Sequence, residues 1–270
     1  MKTRAITGLF FVAVMLGSFF AGSVTFTVFY GLLSLLCLQE FYNLLKKSGQ
    51  QPNIVTGLLN GACIYAAFAA SFYFDTVLMH KIIFLLVLPL TAVFVQELYK
   101  KSEQPFANMG YTFLGLIITI IPLTFFHTLA FVTNAGFNFH IPMGFLLMLW
   151  ANDTGAYLVG RQFGRTKLFE RHSPKKTWEG FIGGILISAL AGYIISLYFT
   201  ELPWRNWVSV AIIIGVVGTV GDLVESMFKR SINIKDSGGI LPGHGGLLDR
   251  FDGLLLSAPV VFVYLYLIFN

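Results

Sequence analysis

Charge is what this sequence has least of. Only 11% of its 270 residues are Asp, Glu, Lys or Arg, and 56% are hydrophobic. Soluble domains carry about 25% charged residues, so the composition excludes a water-soluble globular protein and makes the chain a polytopic membrane protein. Cysteine is nearly absent: Cys37 and Cys63 both sit in apolar runs, where a thiol behaves as a small buried hydrophobe. They say nothing of the redox compartment, and with no cysteine near it a lone His244 cannot build a zinc site. Basic tracts interleaved with exposed aromatics are missing, which removes nucleic acid as a partner. Internal repeats are missing too, as is any polar stretch long enough for a soluble domain.

What is there is a series of apolar runs. A hydrocarbon core about 30 Å thick takes roughly 20 apolar residues per helix. Backbone satisfaction in lipid makes such spans helical. The expected fold is all-α, with nine transmembrane helices near 5–22, 24–44, 54–74, 81–99, 110–132, 141–160, 179–199, 206–227 and 252–269. The cations test that count, because cytoplasmic loops carry the excess of Lys and Arg. With the N-terminus cytoplasmic and the C-terminus outside, all 18 cations fall on the cytoplasmic side except Lys81 and Arg205. A basic start, an apolar run and "FFAGS" also fit a signal peptide; removing it leaves the remaining topology unchanged. Residues 1–140 read as membrane helices that face lipid and scaffold the rest. Residues 141–270 carry the polar motifs, with cytosolic loops at 161–178 and 228–251.

Carboxylates inside a membrane are costly and mark function. Asp153 lies in "NDTGAYLVG", Asp222 in "GDLVESMFKR", and Asp249 and Asp252 in "LLDRFDG". The topology puts all four near the cytosolic face. Asp222, Glu225 and Lys229 share a helix face at i, i+3 and i+7. Carboxylates from two helices meeting at one level make an all-oxygen cage that suits Mg²⁺ rather than a soft metal. Between them runs "KDSGGILPGHGGLLDRFDG", residues 235–253, the most polar and glycine-rich stretch of the chain. Its Gly238, Gly239, Gly243, Gly245 and Gly246 allow backbone N–H groups close to an anion, or form a plain flexible connection. Lys229, Arg230, Lys235 and Arg250 bracket it. His244 fits a phosphate contact, an acid–base group or a loop hydrogen bonder. In "RHSPKKTWEG", Ser173-Pro174 predicts a turn. Lys175 and Lys176 then precede a helix whose first turn holds Thr177 and Glu179, and helix N-termini attract anions. Metal-type acids beside phosphate-type cations point to phosphoryl or nucleotidyl transfer.

The stretch "SMFKRSINIKDSGGILPGHGGLLDRFD", residues 226–252, resembles the signature of the phosphatidate cytidylyltransferase (CDP-diacylglycerol synthase) family. Ser226, Lys229, Arg230, Lys235, Asp236, His244, Gly245, Gly246, Asp249, Arg250 and Asp252 occupy its pattern without departure. "NDTGAYLVGRQFG" and "SPKKTWEG" resemble family segments as well. The resemblance implies that CTP and phosphatidic acid react to CDP-diacylglycerol and pyrophosphate, with Mg²⁺ and a monovalent cation such as K⁺. It implies a homodimer in the inner (plasma) membrane, with the active site facing the cytosol. On it we expect Asp222, Asp249, Asp252 and Asp153 to serve the metal. Asp222, Asp249, Lys235 and Arg250 are the expected catalytic residues. Lys175, Lys176, Ser226, Lys229, Arg230, Asp236, His244, Gly245 and Gly246 are expected to bind substrate. An ion-coupled transporter, or a CTP-dependent lipid kinase, is the alternative.

Overall fold

The computed structural model describes residues 2–74, 76–133, 136–234 and 245–269. Lys235, Asp236 and His244, together with Gly238, Gly239 and Gly243, lie outside the described residues. The fold is helical, as expected. Its helices are α1 (Lys2–Phe20), α2 (Ser23–Lys47), α3 (Ile54–Ala70), α4 (Thr76–Leu85), α5 (Val87–Tyr99), α6 (Pro105–Gly115), α7 (Ile121–Thr128), α8 (His140–Phe163), α9 (Trp178–Ser196), α10 (Trp204–Ser231) and α11 (Leu248–Phe269). Among the described residues six stretches are long and apolar enough to cross a membrane: Ser23–Lys47, Lys81–Tyr99, Pro105–Phe131, Trp178–Ser196, Trp204–Ser231 and Leu248–Phe269. This makes the protein a multi-pass membrane protein.

Two expected spans are not plain helices. The stretch 81–99 is broken at Leu86 between α4 and α5. Pro89 explains this: it has no N–H for the preceding turn and its ring crowds the carbonyl four residues back. The stretch 110–132 contains a π-helical turn, Leu116–Ile120, between α6 and α7. It comes just before Pro122, where the ordinary ladder must open.

The chain divides into two compact units. One comprises Met1–Thr128 with Asp236–Asp249, the other Leu129–Lys235 with Arg250–Asn270. The first unit is centred on aromatic side chains. Phe26, Tyr30 and Phe126 are fully buried, with ring centroids 4.6 Å apart for Phe26–Tyr30 and 5.0 Å for Tyr30–Phe126. Tyr42 donates to the carbonyl of Thr112 at 2.7 Å.

In the second unit Trp207 is fully buried and donates from Nε1 to the carbonyl of Phe199 at 3.0 Å. Close helix contacts shape this unit. A Cβ on Gly180 would come within 2.8 Å of the Ala156 carbonyl, and one on Gly184 within 2.9 Å of the Asn152 carbonyl. The Gly180/Gly184 pair therefore packs α9 on α8 within one chain.

Ser173-Pro174 does not form the expected turn. Strands β1 (Lys167–Phe169) and β2 (Ser173–Thr177) pair antiparallel, and the turn falls on residues 170–172. A two-stranded hairpin has only edges, where Pro is tolerated. Lys175 and Lys176 thus stand on a strand. Thr177 is the N-cap of α9 rather than a member of its first turn; its Oγ1 accepts from Gly180 N at 3.2 Å. Glu179 does lie in that turn. Its carboxylate accepts from the backbone N–H groups of Arg165 and Thr166, each at 3.1 Å, and so ties the hairpin to the helix.

Candidate active site

Within the second unit a cavity of about 370 Å³ gathers five of the expected site residues, Asp153, Asp222, Asp252, Lys175 and Lys176. α8 lines it with Asn152, Asp153, Tyr157 and Arg161, β2 with Lys175, Lys176 and Thr177, α10 with Thr219 and Asp222, and α11 with Asp252 and Gly253. Local packing explains how the acids come together. A Cβ on Gly221 would meet the Asp252 carbonyl at 2.5 Å, so only glycine lets α11 approach α10 this closely. That approach sets Asp252 beside Asp222.

The cavity sets three carboxylates, Asp153, Asp222 and Asp252, beside three cations, Arg161, Lys175 and Lys176. Lys176 Nζ pairs with Asp222 Oδ2 at 2.5 Å, with both side chains part-exposed. Asp252 feels the like charges of Asp222, Glu225 and Asp153. Asp153 feels Asp222 and, in the opposite sense, Lys176 and Arg250. Ser226 Oγ reaches Asp222 Oδ1 at 3.4 Å, one turn along α10. Glu225 pairs with Lys229 at i, i+4; Arg230 is exposed near the end of α10. Among the described residues no group of three or more His, Cys, Asp or Glu is drawn together tightly enough to hold a metal ion. The three aspartates share a cavity, and Asp222 is paired to an ammonium.

Asp249 is described with the other unit, together with Gly245 and Gly246. Its Oδ2 accepts from Gly246 N at 3.1 Å. Gly245 has φ +82°, and a Cβ there would lie 2.7 Å from the same oxygen. This is a left-handed position where glycine is needed. Next in the chain, Leu247 N donates to Glu40 Oε2 at 2.7 Å.

Sequence reasoning missed Asn152, Tyr157 and Arg161 as cavity residues, and Glu40 as the acceptor of Leu247 N in the other unit. Asp153, Tyr157 and Arg161 recur at i, i+4 and i+8, so helical spacing from Asp153 is the signal that finds the last two. Glu40 has only the general signal of an acid in an apolar run.

With this geometry in view, the sequence matches the cytidylyltransferase family over residues 2–268. It is 32% identical over 268 residues to a phosphatidate cytidylyltransferase of Staphylococcus haemolyticus, covering 98% of this chain and 99% of that protein. A Staphylococcus aureus protein of the same name is 32% identical over 270 residues, with 98% and 99% covered. One from Rickettsia bellii is 33% identical over 235 residues, with 84% and 97% covered.

Proposed function

The chain belongs to the cytidylyltransferase family, and from that premise we propose that it transfers the cytidylyl group of CTP to phosphatidic acid, giving CDP-diacylglycerol and pyrophosphate. The observation that carries the site assignment is the single cavity on which Asp153, Asp222 and Asp252 meet Lys175 and Lys176. A match that runs through residues 2–268 rather than over one motif leaves the transporter alternative without support.

The residues favour direct displacement. Among the described residues the cavity lining contains no Ser, Cys or His. Its Thr177 hydroxyl caps α9, and its Thr219 hydroxyl donates to the Gly215 carbonyl at 2.7 Å. A covalent nucleotidyl-enzyme needs an activated nucleophile, and both threonine hydroxyls of the cavity are engaged elsewhere. The acceptor brings its own: a phosphate monoester, with a second pKa of about 6, is already anionic at neutral pH. Its oxygen attacks the α-phosphorus of CTP in line, an O–P bond forms, the α–β bridge breaks and pyrophosphate leaves. Lys175, Lys176 and Arg161 hold phosphate oxygens and offset the repulsion between two anions. Lys235, Arg250 and His244 join them by the family pattern.

The carboxylates of the cavity offer oxygen donors only, which is the chemistry that fits Mg²⁺. Asp153, Asp222 and Asp252 line one cavity without being drawn together tightly enough here to hold an ion between them; they would hold it on closing further around it, and the sequence pattern adds Asp249 and a K⁺ nearby. When bound, Mg²⁺ neutralises charge on the triphosphate and on the leaving pyrophosphate.

We read nine crossings rather than six by adding α1, α3 and α8 to the six longer spans. The near-complete confinement of Lys and Arg to alternate loops supports this count, a cytosolic N-terminus and a cytosolic site. The bacterial relatives point to the plasma membrane, and the family pattern to a homodimer whose scaffold is residues 1–140. The test is purified protein in detergent with CTP, Mg²⁺ and phosphatidic acid. Pyrophosphate release that depends on the lipid supports the reading; none under any metal condition overturns it.

A further inference from the structure

A second basic cavity, of about 490 Å³, lies in the first unit where two apolar spans end. Lys46 belongs to the last turn of α2, and Lys100 follows the span Lys81–Tyr99. The cavity shares no residue with the carboxylate cavity. Its walls are Pro52, Ile54 and Val55, with Gln96 and the loop around Gly49 completing it.

Its polar side chains are the ammoniums of Lys46 and Lys100 and the amides of Gln50, Gln51, Asn53 and Gln96. Lys100 Nζ donates to Gln51 O at 2.7 Å and Asn53 Oδ1 at 3.3 Å, and stands 3.5 Å from Glu97 Oε2. That ammonium is therefore neutralised. Lys46 is exposed and has no acidic partner among the described residues. Gln96 Oε1 is taken by Thr56 Oγ1 at 2.5 Å, which leaves its NH₂ as a donor. The N-terminus of α3 also opens here. Asn53, at the N-cap, makes no side-chain cap bond, because its Nδ2 is spent on Glu97 at 2.8 Å and its Oδ1 on Lys100. The first helical N–H groups, those of Ile54, Val55 and Thr56, have no carbonyl within the helix to bind.

An uncompensated ammonium, an amide NH₂ and an uncapped helix start around a cavity of this size ask for an oxyanion. The level matters too: Lys residues at span ends sit where lipid headgroups are. From the cavity, Val55 and Leu59 continue along one face of α3, 67% and 59% exposed. They form an apolar track for an acyl chain. We propose that this cavity binds a phosphate-bearing anion, and the apolar track favours the headgroup of an anionic phospholipid as its source over free phosphate.

The test is native mass spectrometry of the full-length protein in neutral detergent, titrated with dioleoylphosphatidylglycerol or, as the uncharged control, dioleoylphosphatidylcholine. The wild type should bind phosphatidylglycerol at least tenfold more tightly than phosphatidylcholine. Lys46→Glu, at an exposed position that should not disturb folding, should weaken the phosphatidylglycerol by about tenfold. Lys81→Glu and Lys176→Ala should not, and the second separates this site from the proposed catalytic cavity. Displacement by inorganic phosphate identifies a free-phosphate site; resistance to it identifies a headgroup site. Equal binding of the two lipids, or wild-type affinity in Lys46→Glu, overturns the proposal.

Discussion

Replacing Lys176 by Ala separates what this ammonium does for the fold from what it does for the reaction. In the structure it pairs with Asp222 at 2.5 Å, with side-chain exposures of 26% and 35%. A pair that accessible to water is worth at most about 1 kcal/mol to stability. At this chain length that is a fall in melting temperature of about 2–4 °C. The same group, if it holds a phosphate oxygen during turnover, contributes a charge-assisted hydrogen bond worth about 1.5–3 kcal/mol. Its loss lowers kcat/KM by about tenfold to 150-fold. Lys176→Ala should therefore melt almost like the wild type and turn over CTP far more slowly. Lys176→Arg, which keeps the charge with a different donor geometry, should fall between the two. Both are read by lipid-dependent pyrophosphate release and thermal unfolding in the same detergent. Wild-type turnover in Lys176→Ala would refute the phosphate role. A large loss of melting temperature would show that the pair belongs to the scaffold instead.

Glu40→Ala leaves the N–H of buried Leu247 without its carboxylate acceptor, and should cost about 1–3 kcal/mol of stability by thermal unfolding. Glu40→Gln, which keeps an acceptor oxygen, should lose less, and equal losses would sink the assignment. Glu201 is partly buried, which alone would raise its pKa. Hydrogen bonds from Asn138 at 2.9 Å and from His140 outweigh burial and hold it below the usual carboxylate range. Its stabilising contribution is thus complete above about pH 4.3 and is lost as pH falls through the lowered folded value. Melting temperature should drop on that acid limb, and Glu201→Gln should flatten it; an unchanged limb refutes the linkage. In a background lacking Cys37 and Cys63, a cysteine at Glu103 should be shielded from an impermeant thiol reagent in intact cells and one at Thr200 labelled. The reverse pattern inverts the topology.

Apolar runs announce helices because lipid leaves the backbone no other way to satisfy itself. Breaks inside them are written by Pro89 and Pro122, and a run-length reading passes over both. The polar ends are harder. The sequence reading puts 228–251 in a loop, yet α10 continues to Ser231 and α11 starts at Leu248. Lys, Arg and Asp mark a change in polarity without weakening helix propensity much. Lys229 and Arg230 even suit a helix C-terminus, and Asp249 an N-terminus. The β1–β2 hairpin was illegible for another reason: three residues opposite five leave no alternation to detect, and Ser-Pro reads as a turn wherever it stands.

Intramembrane acids were legible as costly residues, but cost alone does not say what they are for. Their partners do. Glu40 and Glu97 are each 3% exposed. Glu40 accepts from Leu247 N. Glu97 accepts from the side-chain amides of Asn53 and Asn108, both at 2.8 Å, with Lys100 at 3.5 Å. Donors from neighbouring segments hold both acids, so they act as clamps; in Glu97 both carboxylate oxygens find donors, the condition under which a buried charge costs least to keep. Asp153, Asp222 and Asp252 stand in a different relation. They line one cavity together with Arg161, Lys175 and Lys176, and Lys176 is paired with Asp222. Like charges at such range repel unless a cation offsets them. Three cations on the same cavity, Arg161, Lys175 and Lys176, offset the three acids; these are the groups proposed to hold phosphate oxygens, which would leave the carboxylates to a metal ion. The clamps can therefore be traded for neutral acceptors at modest cost to stability. On the proposed reading the cavity aspartates should not be tradable without loss of the reaction, because their oxygens are what the site offers a metal ion.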